Sequence, residues 1–162
     1  MPIERIVVNA SPLICLFKSG LHDLLPLIFQ HIVVPTAVIK EVTATGKKDS
    51  PASQVTAQDW LNPVADIPID FRVAAWDLGK GESEVISFAL RNPGYRAVLD
   101  DREARRCAEA LWCKRIGTAG IVVLAKRRGL LPSLRDAFAK LSSSGLWLSR
   151  EFVEELCITE GE

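Results

Sequence analysis

The chain has 162 residues, 48% of them hydrophobic and 25% charged, ordinary values for one globular domain able to bury about two thirds of its unfolded surface without disulfide or metal staples. Twenty basic and twenty acidic side chains cancel, which excludes a global attraction to nucleic acid or to anionic membranes and leaves such partners to local patches. Four cysteines without a C-x-x-C pair, and only two histidines, exclude zinc-finger spacing.

Reduced thiols fit a cytoplasmic protein, and the apolar run after Met1-Pro-Ile-Glu-Arg5 is too short for a signal-peptide core or a membrane span. No internal repeat or low-complexity tract divides the chain, so a single domain over residues 1–162 is expected.

In chain order, the β-branched run Ile6 to Val8 predicts a strand covered on both faces. It feeds a helix for which Ser11 can cap and Pro12 can occupy the first position. Leu13 to Lys18 and Leu21 to Phe29 read as helices separated by Gly20, followed by a strand over Ile32 to Val34 stopped by Pro35 and a helix from Thr36 to Thr45. Gly46 to Pro51, with Lys47 and Lys48, is the most loop-like stretch. A helix from Ala52 to Leu61, a weak strand at Val64 to Ile67 and a helix from Glu82 to Leu90 come next. The strand Arg96 to Leu99, a helix from Arg102 to Trp112, a short strand at Arg115 to Gly117 and a helix from Thr118 to Arg128 complete the alternation. Such alternation predicts a three-layer αβα sandwich with a mostly parallel central sheet. Ligands of these sheets bind beyond the carboxyl ends of the strands, and Asn9, Asp100, Asp101 and Thr118 all follow strand ends.

The pair Asp100 and Asp101 concentrates negative charge at the end of a buried strand, where it needs a cation, a proton or helix-terminal N–H groups to offset it. Helix capping accounts for Asp101, with Glu103 adding favourable charge in the first turn; it does not need Asp100. In the helix from Glu82, the apolar residues Val85, Ile86, Ala89 and Leu90 define one face, onto which Glu82 projects. Glu84 points nearly opposite, which predicts a solvated side chain. Glu41 flanks the stripe of Val38, Ile39 and Val42.

Five stretches together resemble the PIN-domain family of metal-dependent ribonucleases, which includes the toxins of bacterial toxin–antitoxin pairs. They are Val7-Val-Asn-Ala-Ser-Pro-Leu-Ile14, Val34-Pro-Thr-Ala-Val-Ile-Lys-Glu41, Gly79-Lys-Gly-Glu-Ser-Glu-Val-Ile86, Val98-Leu-Asp-Asp-Arg-Glu-Ala-Arg105 and Gly117-Thr-Ala-Gly-Ile121. With Ala125-Lys-Arg-Arg-Gly-Leu130, they look closest to an uncharacterised prokaryotic PIN-like branch. The resemblance implies catalytic and metal positions at Asn9, Glu41, Glu82 and Asp100, with Glu84 and Asp101 as neighbouring metal ligands. The first position is usually aspartate; asparagine there offers one neutral oxygen and implies weaker metal affinity, or the loss of one of two metals.

Oxygen-only ligands suit Mg²⁺ or Mn²⁺, as one ion or two. The implied function is a metal-dependent endoribonuclease, a toxin in one version of the reading; the alternative is a catalytically weakened PIN-fold protein that binds RNA or a protein partner. Ser11, Arg105 and Thr118 are candidate substrate-binding residues, and Arg102, Arg106, Lys114, Arg115, Lys47, Lys48 and Lys126 to Arg128 are further cations that can meet phosphate. The last run equally suits a helix C-terminus before Gly129. An antitoxin and a homodimer are possible partners, the apolar segment Leu146-Trp-Leu148 with Phe152, Val153 and Leu156 completing the core or covering a dimer face. Trp60, Trp76, Trp112 and Trp147 are too scattered for a base-stacking platform, so core packing is expected of each. A phosphoacceptor receiver domain fits poorly, because its acidic pair follows the first strand, where this chain has only Asn9.

Overall fold

Consecutive β-branched residues with no polar alternation fold as strands buried on both faces, and Ile6, Val7 and Val8 are fully buried in β1 (Arg5–Val8). The computed structural model describes residues 5–44 and 51–162. β1 lies at the centre of an all-parallel five-stranded sheet, in the order β3-β2-β1-β4-β5. The other strands are β2 (His31–Pro35), β3 (Leu61–Val64), β4 (Arg96–Val98) and β5 (Arg115–Ile116). The chain winds outward from β1 through β2 to β3, then returns to add β4 and β5 on the other side. The strand order therefore reverses between β1 and β4, where Val8 pairs with Val98. A crevice opens at such a reversal, beyond the carboxyl ends of the two strands.

The helices are α1 (Ala10–Lys18), α2 (Leu24–Ile28), α3 (Thr36–Thr43), α4 (Ala52–Thr56), α5 (Phe71–Ala74), α6 (Lys80–Arg91), α7 (Arg102–Ala110), α8 (Thr118–Arg127), α9 (Leu134–Ser143) and α10 (Arg150–Thr159). α6 packs on β1, β2 and β4 and is joined by α3, α5 and α7, while α2, α8, α9 and α10 form a second connected group. This is the expected sandwich. No helix among the described residues is long and apolar enough to cross a membrane.

Three boundaries differ from expectation for local reasons. α1 starts at Ala10 because the Asn9 carbonyl already accepts the Leu13 N–H at 3.3 Å, so Asn9 is the N-cap and Ser11 lies within the first turn. The helix expected to reach Leu61 ends at Thr56. Leu61 instead starts β3, pairing with Ile32, and the strand expected at residues 64–67 is shifted to 61–64. Pro63 is accommodated because β3 is an edge strand. The loop expected from Gly46, with Lys47 and Lys48, lies outside the described residues except for Pro51.

The cationic end of α8 is held by the C-terminal helix. Arg127 pairs with Glu160 at 2.6 Å, Lys126 with Glu162 at 3.4 Å, and Arg128 donates to the Ile28 carbonyl at 3.1 Å. Gly129, at φ +73°, closes the helix, with the Leu130 N–H reaching the Ala125 carbonyl at 2.9 Å. This run is a structural terminus. Glu162 also accepts the Leu134 N–H at the start of α9, which holds its carboxyl down at about 2.

The tryptophans divide. Trp60 is half-buried and stacks on Phe17 with ring centroids 6.1 Å apart, as core packing requires. Trp76, Trp112 and Trp147 are exposed instead, the last two at 93% and 83%. Beside Trp112 and Trp147 the neighbours in sequence, Leu111, Cys113, Leu146 and Leu148, supply the core contacts instead.

Candidate functional site

The reversal between β1 and β4 places Asn9 and Asp100 on adjacent strand exits, with the Asn9 N–H donating to the Val98 carbonyl at 3.2 Å. Asn9 is 3% exposed, and its Oδ1 is buried without a hydrogen-bond partner. Its amide donates to Glu82, in the first turn of α6. At Gly81 a Cβ would lie 3.2 Å from a methyl of Val38 and in ordinary contact, 3.5 Å, with Asn9 Oδ1, so glycine here serves the close packing of α6 on α3.

Glu82 is half-buried, and its carboxyl is pushed above the ordinary range first by desolvation and then by the charges of Asp101 and Glu41. The Gly79 backbone and the Asn9 amide offset this in part. Four residues from four elements, Asn9, Glu41, Glu82 and Asp101, therefore share one electrostatic environment. Because the folded form holds the Glu82 proton more tightly than the unfolded one, stability falls as pH rises through the window above the unfolded value. Glu82→Gln is expected to raise the metal-free melting temperature at neutral pH, with the gap closing below about pH 4, where both side chains are neutral. Thermal scans in EDTA across that range check this; a gap independent of pH would contradict it.

The two aspartates do different work. Asp101 caps α7, its Oδ2 accepting the Ala104 N–H at 3.0 Å, as the sequence suggested. Asp100 reaches across to the next strand exit, where Oδ1 accepts the Thr118 N–H at 2.8 Å and Oδ2 accepts the Thr118 hydroxyl at 2.5 Å. It fixes the start of α8. Thr118 is fully buried with both donors committed to Asp100, so it positions that carboxylate instead of facing solvent. Gly117 keeps the corner open, since a Cβ there would fall 2.6 Å from the Arg105 guanidinium and 3.2 Å from Asp100 Oδ1.

Glu84 is the largest departure from helical-wheel reasoning. The expected solvated side chain is 6% exposed, with Oε2 buried and unpartnered. The reason is that residues 66–70 cross the outer side of α6, the Asp70 N–H donating to Ser87 Oγ at 3.0 Å. Desolvation raises the Glu84 carboxyl, Asp66 adds to this, and Lys80 and Lys40 oppose it. Glu84 thus belongs to a different environment from the other acids.

Two cavities flank Asp100. One, of about 410 Å³, is lined by Asp100, Arg105, Gly117, Gly120, Trp147 and Phe152, among others; the second, of about 440 Å³, has Ser11, Asp100, Asp101, Arg102 and Trp147 in its wall. Ser11 and Arg105 are exposed there, and Arg105 donates to the Leu99 carbonyl at 3.4 Å. Gly81, Gly117 and Trp147 carry weight that sequence alone did not assign. The glycines precede a site acid and its positioning threonine, which is the signal available for them.

No three acidic, histidine or cysteine side chains among the described residues are grouped closely enough to enclose an ion. The unpartnered Asn9 oxygen and the uncompensated carboxylates beside it fit a hard cation of the Mg²⁺ type, which takes one or two carboxylates and keeps waters for a phosphate to replace. A family model described as a PIN domain matches residues 5–162. No curated protein matches the chain.

Proposed function

Because the chain belongs to the PIN-domain family, a nuclease-type fold that is generally dependent on divalent metal, we propose that it is an endoribonuclease using Mg²⁺ or Mn²⁺. The observation that carries this reading is the buried, unpartnered Asn9 oxygen at the sheet reversal, next to the half-buried Glu82, with Asp101 and Glu41 near enough to act on its charge. Uncompensated acids at a ligand crevice are the signature of a site awaiting a cation. Glu82 and the Asn9 oxygen would hold the ion, with Asp101 and Glu41 meeting it through its waters and Asp100 fixed at the neighbouring strand exit by Thr118. When bound, a divalent ion activates water for in-line attack on phosphorus and stabilises the departing oxygen. Arg102, Arg105 and Ser11 would take the flanking phosphates, and the acids would repel RNA until the ion reverses the local field.

Single-stranded RNA incubated with the protein and Mn²⁺ is expected to yield fragments, with none in EDTA and at least about 100-fold slower cleavage by Glu82→Gln or Asp100→Asn. Intact RNA under all conditions, or undiminished activity in both variants, would overturn the reading. Members of the family typically bind RNA and often pair with antitoxins. For this chain, service as a toxin with an antitoxin partner, and self-association as a homodimer, are part of the proposal.

One observation favours a second version. Each Asp100 oxygen already accepts one hydrogen bond from Thr118, which gives this carboxylate a structural task, and the first acidic position carries an amide. A protein that binds RNA or a partner without cutting is then expected to show RNA binding with no Mn²⁺ uptake by calorimetry.

A further inference from the structure

Trp147 is 83% exposed, yet its backbone is held on both sides. Gly145, at φ +105°, ends α9 with the Leu146 N–H bonded to the Leu141 carbonyl at 3.0 Å, and Ser149 caps α10 through the Phe152 N–H at 3.1 Å. Leu146 and Leu148, on either side of the tryptophan, pack against the core. An indole carried on a three-residue connection pinned at four points is presented to solvent with little backbone freedom left to lose on binding.

Trp147 is among the residues that line both cavities flanking Asp100. Arg105 lines the first and Arg102 the second, and neither pairs with a carboxylate among the described residues, unlike Arg127, Arg135, Arg106 and Arg115. The first cavity is otherwise apolar, floored by Gly117, Gly120 and Val123 with Phe152 beside them. A flat aromatic face, an apolar slot of about 410 Å³ and two guanidinium groups with no carboxylate partner suit a planar, uncharged ring attached to phosphates. A helical protein segment would have to bring acidic side chains at two matching positions to meet the guanidinium groups, whereas every nucleotide brings a phosphate with its base.

We propose that Trp147 is a stacking platform for one unpaired nucleobase of a single-stranded RNA, seated over the first cavity so that its flanking phosphates lie at Arg105 and Arg102 beside Asp100. This rests on the ribonuclease reading for the identity of the ligand and adds to it a specificity-determining residue outside the acidic cluster. A base held in a duplex cannot reach such a slot, so the substrate class is unpaired RNA.

The test measures binding of a fluorescein-labelled single-stranded RNA by anisotropy in the Asp100→Asn background, which keeps Glu82 and Asn9 for the ion, with Mn²⁺ present, so that the RNA stays intact. Trp147→Ala is expected to weaken binding about 5- to 100-fold, and Trp147→Phe to retain most of it. Trp112→Ala, which removes an equally exposed indole remote from these cavities, is expected to change nothing. Both alanine variants keep the core, which circular dichroism verifies. An effect of Trp147→Ala no larger than that of Trp112→Ala overturns the inference, as does an Asp100→Asn protein that binds no single-stranded RNA with Mn²⁺ present. Cleavage by the parent protein separates the two readings. If it does not cut but Trp147→Ala still weakens RNA binding, the ribonuclease reading falls and the platform stands. If it cuts and Trp147→Ala leaves KM unchanged, the platform alone falls.

Discussion

Asp100→Ala is expected to melt about 5 to 15 °C below the parent protein, while Asp100→Asn stays within a few degrees of it. The alanine removes the acceptor of both the Thr118 N–H and the Thr118 hydroxyl, leaving water from the two cavities that Asp100 lines as the replacement. Two lost hydrogen bonds to a charged acceptor, replaced in part by water, cost about 2–4 kcal/mol. Asparagine keeps one acceptor for the N–H and turns a donor toward the hydroxyl oxygen. It forfeits mainly the charge at the start of α8, which is worth about 0.3–1 kcal/mol. Thermal denaturation of the three proteins in EDTA decides the matter; equal melting temperatures for the alanine and asparagine variants would mean that Asp100 has no anchoring role. The contrast also identifies asparagine as the variant in which lost activity cannot be ascribed to a loosened α8.

Asn9→Asp is expected to have effects of opposite sign with and without metal. In EDTA at neutral pH it sets a new carboxylate where the Asn9 amide donates to Glu82, whose own carboxyl is already raised by burial, Asp101 and Glu41. The lost donor and the added repulsion are expected to lower stability by about 1–3 kcal/mol. The loss deepens as pH rises above the ordinary carboxylate range and disappears below about pH 4, since like charges in the folded state make protonation favourable there. With Mn²⁺ the same carboxylate is expected to tighten binding about 10- to 100-fold, worth about 1.4–2.7 kcal/mol under saturating metal, so metal offsets most of the variant's loss of stability. Calorimetric titration and paired thermal scans read both arms. Unchanged Mn²⁺ affinity would show that residue 9 does not face an ion.

The parts of this site that were legible in the sequence are those fixed by local grammar. Asn9 and Asp101 follow strands directly and precede helices, and Glu82 opens one, so their positions at the sheet edge follow from where the β-branched runs stop. Other features depend on contacts between distant segments. Glu84 is buried because residues 66–70 return over α6, which no helical wheel anticipates. The work of Asp100 depends on a threonine 18 positions later. β3 moved toward Leu61 because an edge position tolerates Pro63, and edge or centre is a property of the finished sheet. Trp147 reads as a core residue from composition, and only its framing by two helix termini shows that it projects.

The central pairing of β1 with β4 joins Val7 to Ala97, roughly ninety positions apart. Closing a loop of that length is slow compared with forming the helices between its ends. During synthesis, Asn9 and Glu82 emerge before the strand that carries Asp100 can dock, and Thr118 emerges later still. A growing chain on the ribosome, surrounded by RNA, therefore carries the separate acids for some time before it carries the assembled site.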